Sequence, residues 1–282
     1  MGVKIEFPEP IQVPRELPLY AAIPPAWNSE KVAKLAARFD LRGDVADVGS
    51  WFVCRSDKWT LEVYQATQSL RLERNDFDAE GRGKNAGVPD RDRAVVAAKR
   101  FLDTVGDTFA RAEVDSVTEL QVIKASRENQ SGERQVVGLQ VNYRYSLDGL
   151  PLVGPGAKAQ VTVGHDGELA QAYRFAREVK KVGARPSVSP GEAFKRFAAS
   201  DHFANLTGDA KVTVTSAQLG LLCLAPTEVQ GVLVPAYVLR GEVNTELLPR
   251  YQFITYVAAA DLDEADAKRQ RWQHVRPALL AA

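Results

Sequence analysis

The sequence predicts an α+β protein built of repeated helix-plus-antiparallel-meander modules, in which curled sheets pack on single helices. Three observations predict it. In the stretch from Gly149 to Val179, residues Val161, Val163, Leu169, Tyr173 and Phe175 recur at period-two spacings, as strands with one buried face require. Three short amphipathic helices are each followed by runs of strand pattern. The helices also share a local echo, a basic residue followed by phenylalanine: Arg38-Phe39, Arg100-Phe101 and Arg196-Phe197. A helix over a meander buries its apolar stripe on one sheet face. A single such module leaves much apolar surface uncovered, so neighbours are expected to share sheets or to pack back to back.

Residues 1–18 carry Pro8, Pro10, Pro14 and Pro18, each of which removes a backbone donor and holds its predecessor extended. They read as an arm lying on the body, with a short edge strand at 17–23. The N-terminal module covers 19–75. Asn28 or Ser29 caps a helix whose Val32, Leu35, Ala36 and Phe39 form one stripe, and strands follow at 50–55, 59–64 and 69–74. A polar, glycine-rich break at 75–89 separates it from the central module, 90–180. There a helix from Asp90 is expected to bury Ala94, Val95, Ala98, Phe101, Leu102 and Val105 and to stop at Gly106. Strands follow at 114–125 and 135–147, then a hairpin turning at Asp166-Gly167, with Gly154-Pro155-Gly156 as a rigid corner before it. Residues 180–188 read as a connection. The C-terminal module, 187–260, opens on the capping box Ser189-Pro190-Gly191-Glu192 and continues with strands at 212–224, 231–240 and 250–258. Residues 261–282 form a charged tail around Trp272.

Composition narrows the function. Of 282 residues, 36 are Lys or Arg and 36 are Asp or Glu, so no positive excess exists to neutralise a phosphate backbone, and nucleic acid is not an expected partner. The longest apolar run, 219–225, is too short to span a bilayer, and the first residues hold no apolar leader segment. The expectation is a cytoplasmic protein with no membrane partner. Cys54 and Cys223 follow no ligand spacing and read as small buried hydrophobes.

The order of capped helix, paired strands, Gly149-Leu-Pro-Leu-Val-Gly-Pro-Gly-Ala-Lys158 and Val161-Thr-Val-Gly-His-Asp-Gly-Glu-Leu169 resembles the PepSY and fungalysin/thermolysin-propeptide domains, over about residues 90–200. The resemblance implies a helix on an antiparallel sheet that binds or inhibits a protein or peptide and has no catalytic residues of its own.

The residues themselves offer little chemistry. His165, His202 and His274 lie outside any metal-ligand spacing; His165 sits in a turn and His202 lies next to Asp201. Gly81-Arg-Gly83-Lys84 lacks the spacing and the hydroxyl residue of a phosphate loop, and no nucleophile elbow occurs. No catalytic, cofactor or metal residue is expected. Aromatic residues stand out instead. Trp51, Trp59 and Tyr64 put large groups on both faces of one hairpin, and Tyr143, Tyr145 and Tyr173 lie on other strands. Arg144, Arg174 and Arg177 are expected to add cationic handles on an opposite face. Aromatic walls with arginines suit an extended peptide bearing acidic groups, and free sheet edges suit strand addition. The expected function is a non-enzymatic binding protein for a peptide or protein segment, accessory to an enzyme or pathway. The alternatives are a cofactor-free cyclase or isomerase working in the cavity of a curled sheet, and a homodimeric scaffold.

Overall fold

The computed structural model describes residues 4–77, 87–106, 111–124, 133–200, 203, 206, 210–245 and 250–263. Two groups of strands are joined at one narrow place. The first group is antiparallel throughout. In spatial order it runs β3 (Val45–Asp47), β4 (Trp51–Arg55), β5 (Trp59–Tyr64), β6 (Leu70–Arg74), β11 (Leu169–Phe175), β10 (Lys158–Gly164) and β8 (Glu133–Leu147), with β7 (Arg111–Lys124) also paired to β8. The second group runs β12 (Glu178–Pro186), β2 (Glu16–Ile23), β14 (Val232–Asn244) and β13 (Lys211–Leu222). Here β15 (Tyr251–Ala258) also lies on β14, and β1 (Lys4–Glu6) lies parallel to β13. Strand β9 (Leu150–Val153) joins the groups. It leaves β8 through a two-residue turn, Asp148 (φ 48°) and Gly149 (φ 81°), and then pairs in parallel with Leu221 and Leu222 of β13.

This architecture corrects the expected α+β repeat. Among the described residues the protein is mostly β, with three α-helices on a mixed sheet of fifteen strands. Hydrogen bonding ignores the expected modules: β6 pairs with β11, β2 with both β12 and β14, and β9 with β13. A strand leaves one whole row of N–H and C=O groups unpaired wherever a module ends, and joining sheets satisfies those rows. Segment 180–188, expected as a connection, is strand for most of its length, and β2, expected at an edge, is interior. Pro18 is tolerated within β2 although it has no N–H to give.

The helices form where their caps and stripes indicate. α1 (Ser29–Ala37) starts with Asn28 Oδ1 accepting from Lys31 N at 2.9 Å, α2 (Arg91–Val105) with Asp90 Oδ1 accepting from Arg93 N at 2.8 Å, and α3 (Pro190–Ala198) with Ser189 Oγ accepting from Glu192 N at 3.2 Å. α1 and α2 lie on one face of the first group, and the turn after α1 meets α2 where the Phe39 and Phe101 ring centroids are 5.8 Å apart. Beneath them Leu61, Val63, Leu70, Leu72, Val141 and Val161 form the main core. α3 covers part of the second group with Phe194 and Phe197, against Tyr237, Leu239 and Val257. The N-terminal segment closes this smaller core, since Phe7 stacks on Phe194 at 4.6 Å.

Because residues directly opposite in an antiparallel ladder share a face, the register settles which side chains look away from α1 and α2. That outer face is where the candidate site lies.

Candidate functional site

One cross-strand row on the outer face is aromatic. Trp51 opposes Tyr64, with ring centroids 6.1 Å apart; Tyr64 meets Phe175 edge-on at 5.8 Å; Phe175 stacks on Tyr173 at 4.8 Å. The Lys158 ammonium stands over the Tyr173 ring at 5.7 Å, and Lys158 itself opposes Phe175 in the ladder. All four rings are half-buried. Their spacing and tilt are those of favourable ring pairs, which fixes them as one continuous surface from β4 to β10. A polar row runs beside it: Glu62, Arg71, Tyr173, Gln160, Asn142 and Ser116 are successive partners. Its amides are linked, Gln160 Nε2 donating to Asn142 Oδ1 at 2.8 Å and Asn142 Nδ2 to Ser116 Oγ at 3.2 Å. Arg144 is exposed on the same face and pairs with Glu113 at 3.5 Å and Asp115 at 3.6 Å. Burial pushes the Tyr64 and Tyr173 phenols up, with Glu62 adding to the effect at Tyr64, so both stay neutral through the physiological range.

The structure therefore brings Trp51, Tyr64, Tyr173 and Arg144 to one face. It places the other expected site residues elsewhere. Tyr143 and Tyr145 share the parity of Val141 and are buried in the main core. Trp59 has the parity of Leu61 and Val63 and packs at the margin of that core, with Lys58 over its ring at 5.9 Å. Arg174 is buried under the end of α2, where Nη1 donates to Gly106 O at 2.9 Å and Nη2 to Gln68 O at 2.8 Å. It ties a helix end to the β5–β6 turn and faces away from the aromatic row. His165 is half-buried in a short 3₁₀ turn, while His202, His274 and Trp272 lie outside the described residues. Cys54 and Cys223 are buried free thiols, and burial pushes Cys223 up to about 12. Among the described residues no three His, Cys, Asp or Glu side chains are grouped to hold a metal ion.

A second feature was not legible in the sequence. Where the strands bearing Tyr64 and Phe175 end, a cleft of about 600 Å³ opens between four connections. Its walls are the end of β2 (Ala21, Ala22, Ile23) with Pro24, the β5–β6 turn (Gln65, Ala66, Thr67), the approach to β14 (Val229, Gln230, Gly231), and Arg177. Arg177 is 3% exposed, and burial depresses its pKa. Three backbone carbonyls hold its guanidinium: Leu224 O accepts from Nη1 at 2.8 Å, and Ala225 O and Glu228 O accept from Nη2 at 2.9 and 2.6 Å. Among the described residues no carboxylate forms an ion pair with it. The sequence signal for it is faint: a charged residue just past an alternating strand, where the burial pattern is expected to end.

These features define the class of protein in structural terms: a mostly β chain on one large mixed sheet, with an aromatic outer face and an arginine-walled cleft at the junction of its two strand groups. No protein-family model matches the chain, and no curated protein matches it. One solved structure it resembles is an uncharacterized protein from Eubacterium rectale ATCC 33656, at 11% identity and a TM-score of 0.46, covering 90% of this chain and 86% of that one. A likeness of that degree carries neither fold nor function across. No helix among the described residues is long and apolar enough to cross a membrane.

Proposed function

We propose that the protein is a non-enzymatic binding protein that takes an extended peptide or protein segment across its outer sheet face, as an accessory to an enzyme or pathway. The observation that carries this reading is the unbroken row Trp51–Tyr64–Phe175–Tyr173, half-buried on the face turned away from α1 and α2. Rigid aromatic side chains give contact area at little entropic cost, which is why they anchor interfaces. Lys158 beside the row favours a segment with acidic groups, whereas Glu113 and Asp115 offset the exposed Arg144. The sheet edge is the weaker docking surface. β7 offers a long edge, yet it carries Glu113, Asp115 and Glu119 and two register shifts, features that oppose strand addition. Two buried free thiols suit a reducing compartment, so the reading takes the protein as cytoplasmic.

The alternative of a cofactor-free enzyme has less support in this cleft: among the described residues neither a carboxylate nor a histidine lines it. The test is selection from a random peptide library by the wild-type protein and by a Trp51→Ala, Tyr173→Ala double variant, with sedimentation velocity alongside. The expected result is enrichment of peptides rich in acidic and apolar residues by the wild type and little or none by the variant. Equal enrichment by both proteins overturns the reading. So does a wild-type dimer that the double variant dissociates, since a second copy then covers the face.

A further inference from the structure

The cleft beside the aromatic row has a one-sided chemistry. Its mouth is apolar, with Ile23 40% and Val229 53% exposed and Pro24, Ala66 and Ala22 between them. Its neutral polar groups are committed elsewhere. Gln230 accepts from Leu224 N at 2.9 Å and donates to Leu222 O and Val232 O at 2.8 and 3.0 Å, and Thr67 Oγ1 donates to Pro226 O at 3.1 Å. Among the described residues that line the cleft, Arg177 is the one that carries a charge. A guanidinium carries five N–H donors; three are engaged by carbonyls, and its Nε, buried out of reach of the cleft, makes no hydrogen bond among the described residues. The charge therefore acts on a ligand through its field more than through a free donor. Carbonyl dipoles solvate this charge but do not cancel it, so the wall of the cleft stays positive in a low-dielectric surround. The larger depression beside α2, about 780 Å³, is different: Asp90 and Asp92 offset Arg93 and Arg100 there, and no sign prevails.

We propose that the Arg177 cleft binds a carboxylate carried on a small apolar group, and that its ligand is the free C-terminal residue of the segment lying along the aromatic row. This rests on the binding reading above. Its support is continuity: Tyr64 leads directly into Gln65, Ala66 and Thr67 of the cleft wall, and Phe175 lies two residues before Arg177. A volume of about 600 Å³ is ample for one apolar residue and its terminal carboxylate. Apolar rim and cationic wall together select for that combination, because the rim rejects a charged side chain and the wall rejects a cation.

The test uses a defined probe, N-acetyl-Ala-Leu with a free carboxylate, against its carboxamide, by isothermal titration calorimetry at low and high salt. The free acid is expected to bind the wild-type protein at least about tenfold more tightly than the amide, with the difference shrinking as salt rises. Two exposed rim variants read the charge without disturbing the buried guanidinium. Val229→Asp is expected to weaken the acid by about fivefold or more, and Val229→Lys to leave it as tight or tighter. Equal affinity for acid and amide, or no effect of Val229→Asp, overturns the proposal. The two readings fail separately. If library peptides need Trp51 and Tyr173 while the dipeptide shows no preference for the acid, the cleft assignment falls and the aromatic row stands. If the dipeptide discriminates and the library ignores Trp51 and Tyr173, the row falls and the cleft keeps its carboxylate.

Discussion

Arg177 and Leu224 meet at the junction of the two strand groups: Arg177 Nη1 donates to the Leu224 carbonyl at 2.8 Å, and a Cβ on Gly156 would collide with that same oxygen. Three segments converge on one atom. The Gly154-Pro155-Gly156 corner can lie against the end of β13 because it has no side chain there; Cys223 N donates to Val153 O at 2.8 Å and Gly156 N to Cys223 O at 3.1 Å. The guanidinium fixes the chain beyond β13 from the other side.

Arg177 is therefore a strut as well as a charge. Arg177→Met leaves the carbonyls of Leu224, Ala225 and Glu228 buried without their donor and is expected to cost about 3–5 kcal/mol in urea unfolding. Arg177→Lys keeps a charge but cannot span three carbonyls in a plane, and is expected to lose about 2 kcal/mol. An unchanged midpoint for the methionine variant would show that the guanidinium does not brace the junction.

Two glycines separate packing from backbone conformation. Gly156→Ala drives a methyl into Leu224 O and to within 2.7 Å of Arg177 Nη1, and is expected to cost more than about 3 kcal/mol. Gly149→Ala meets no atom within 4 Å but must hold φ near +81°, which costs about 1 kcal/mol. Thermal or urea melts of the two variants give the order, and the reverse order would refute the close approach at Gly156.

Alkaline pH is expected to weaken the fold. Burial raises both the Cys223 thiol and the Tyr237 phenol to about 12, the latter while it donates to Val188 O at 2.6 Å. In the unfolded chain these groups lose their protons near about 8.5 and 10, respectively. The folded state holds the protons longer, so the stabilisation is complete below about pH 8.5 and drains away as pH climbs toward the folded values. The thiol alone contributes a loss of about 2–3 kcal/mol by about pH 10.5. Urea midpoints of the wild type should fall across this window, and Cys223→Ala should flatten the fall. Identical slopes for both proteins would assign the alkaline loss to other groups.

Much of the local structure was legible from pattern alone. Asn28 or Ser29, and Ser189, read as caps because a short polar side chain before an apolar stripe satisfies a free helical N–H. Asn28 and Ser189 do so, and Asp90, expected only as the start of its helix, caps it in the same way. The alternation of Val161, Val163, Tyr173 and Phe175 marks strands, and the parity of Tyr173 and Phe175 puts both on one face. Asp148-Gly149 is equally a two-residue hairpin signal, but β9 beyond it is only four residues long, too short for alternation to mark it as a strand. The same parity puts Tyr143 and Tyr145 on the core face with Val141, away from Tyr173 and Phe175.

By itself, then, the chain determined its caps, its turns and the alternation that sorts each strand into two faces, because those depend on residues a few positions apart. Only the tertiary structure decided that the expected modules share one sheet, that Trp51, Tyr64, Phe175 and Tyr173 line up across non-consecutive strands, and that Arg177 is buried on carbonyls 47 to 51 residues away. The physical reason is the same in each case. Which strand edge meets which, and which charge ends beside which carbonyl, follows from long-range pairing of backbone groups that every residue carries, and no side-chain pattern records that choice.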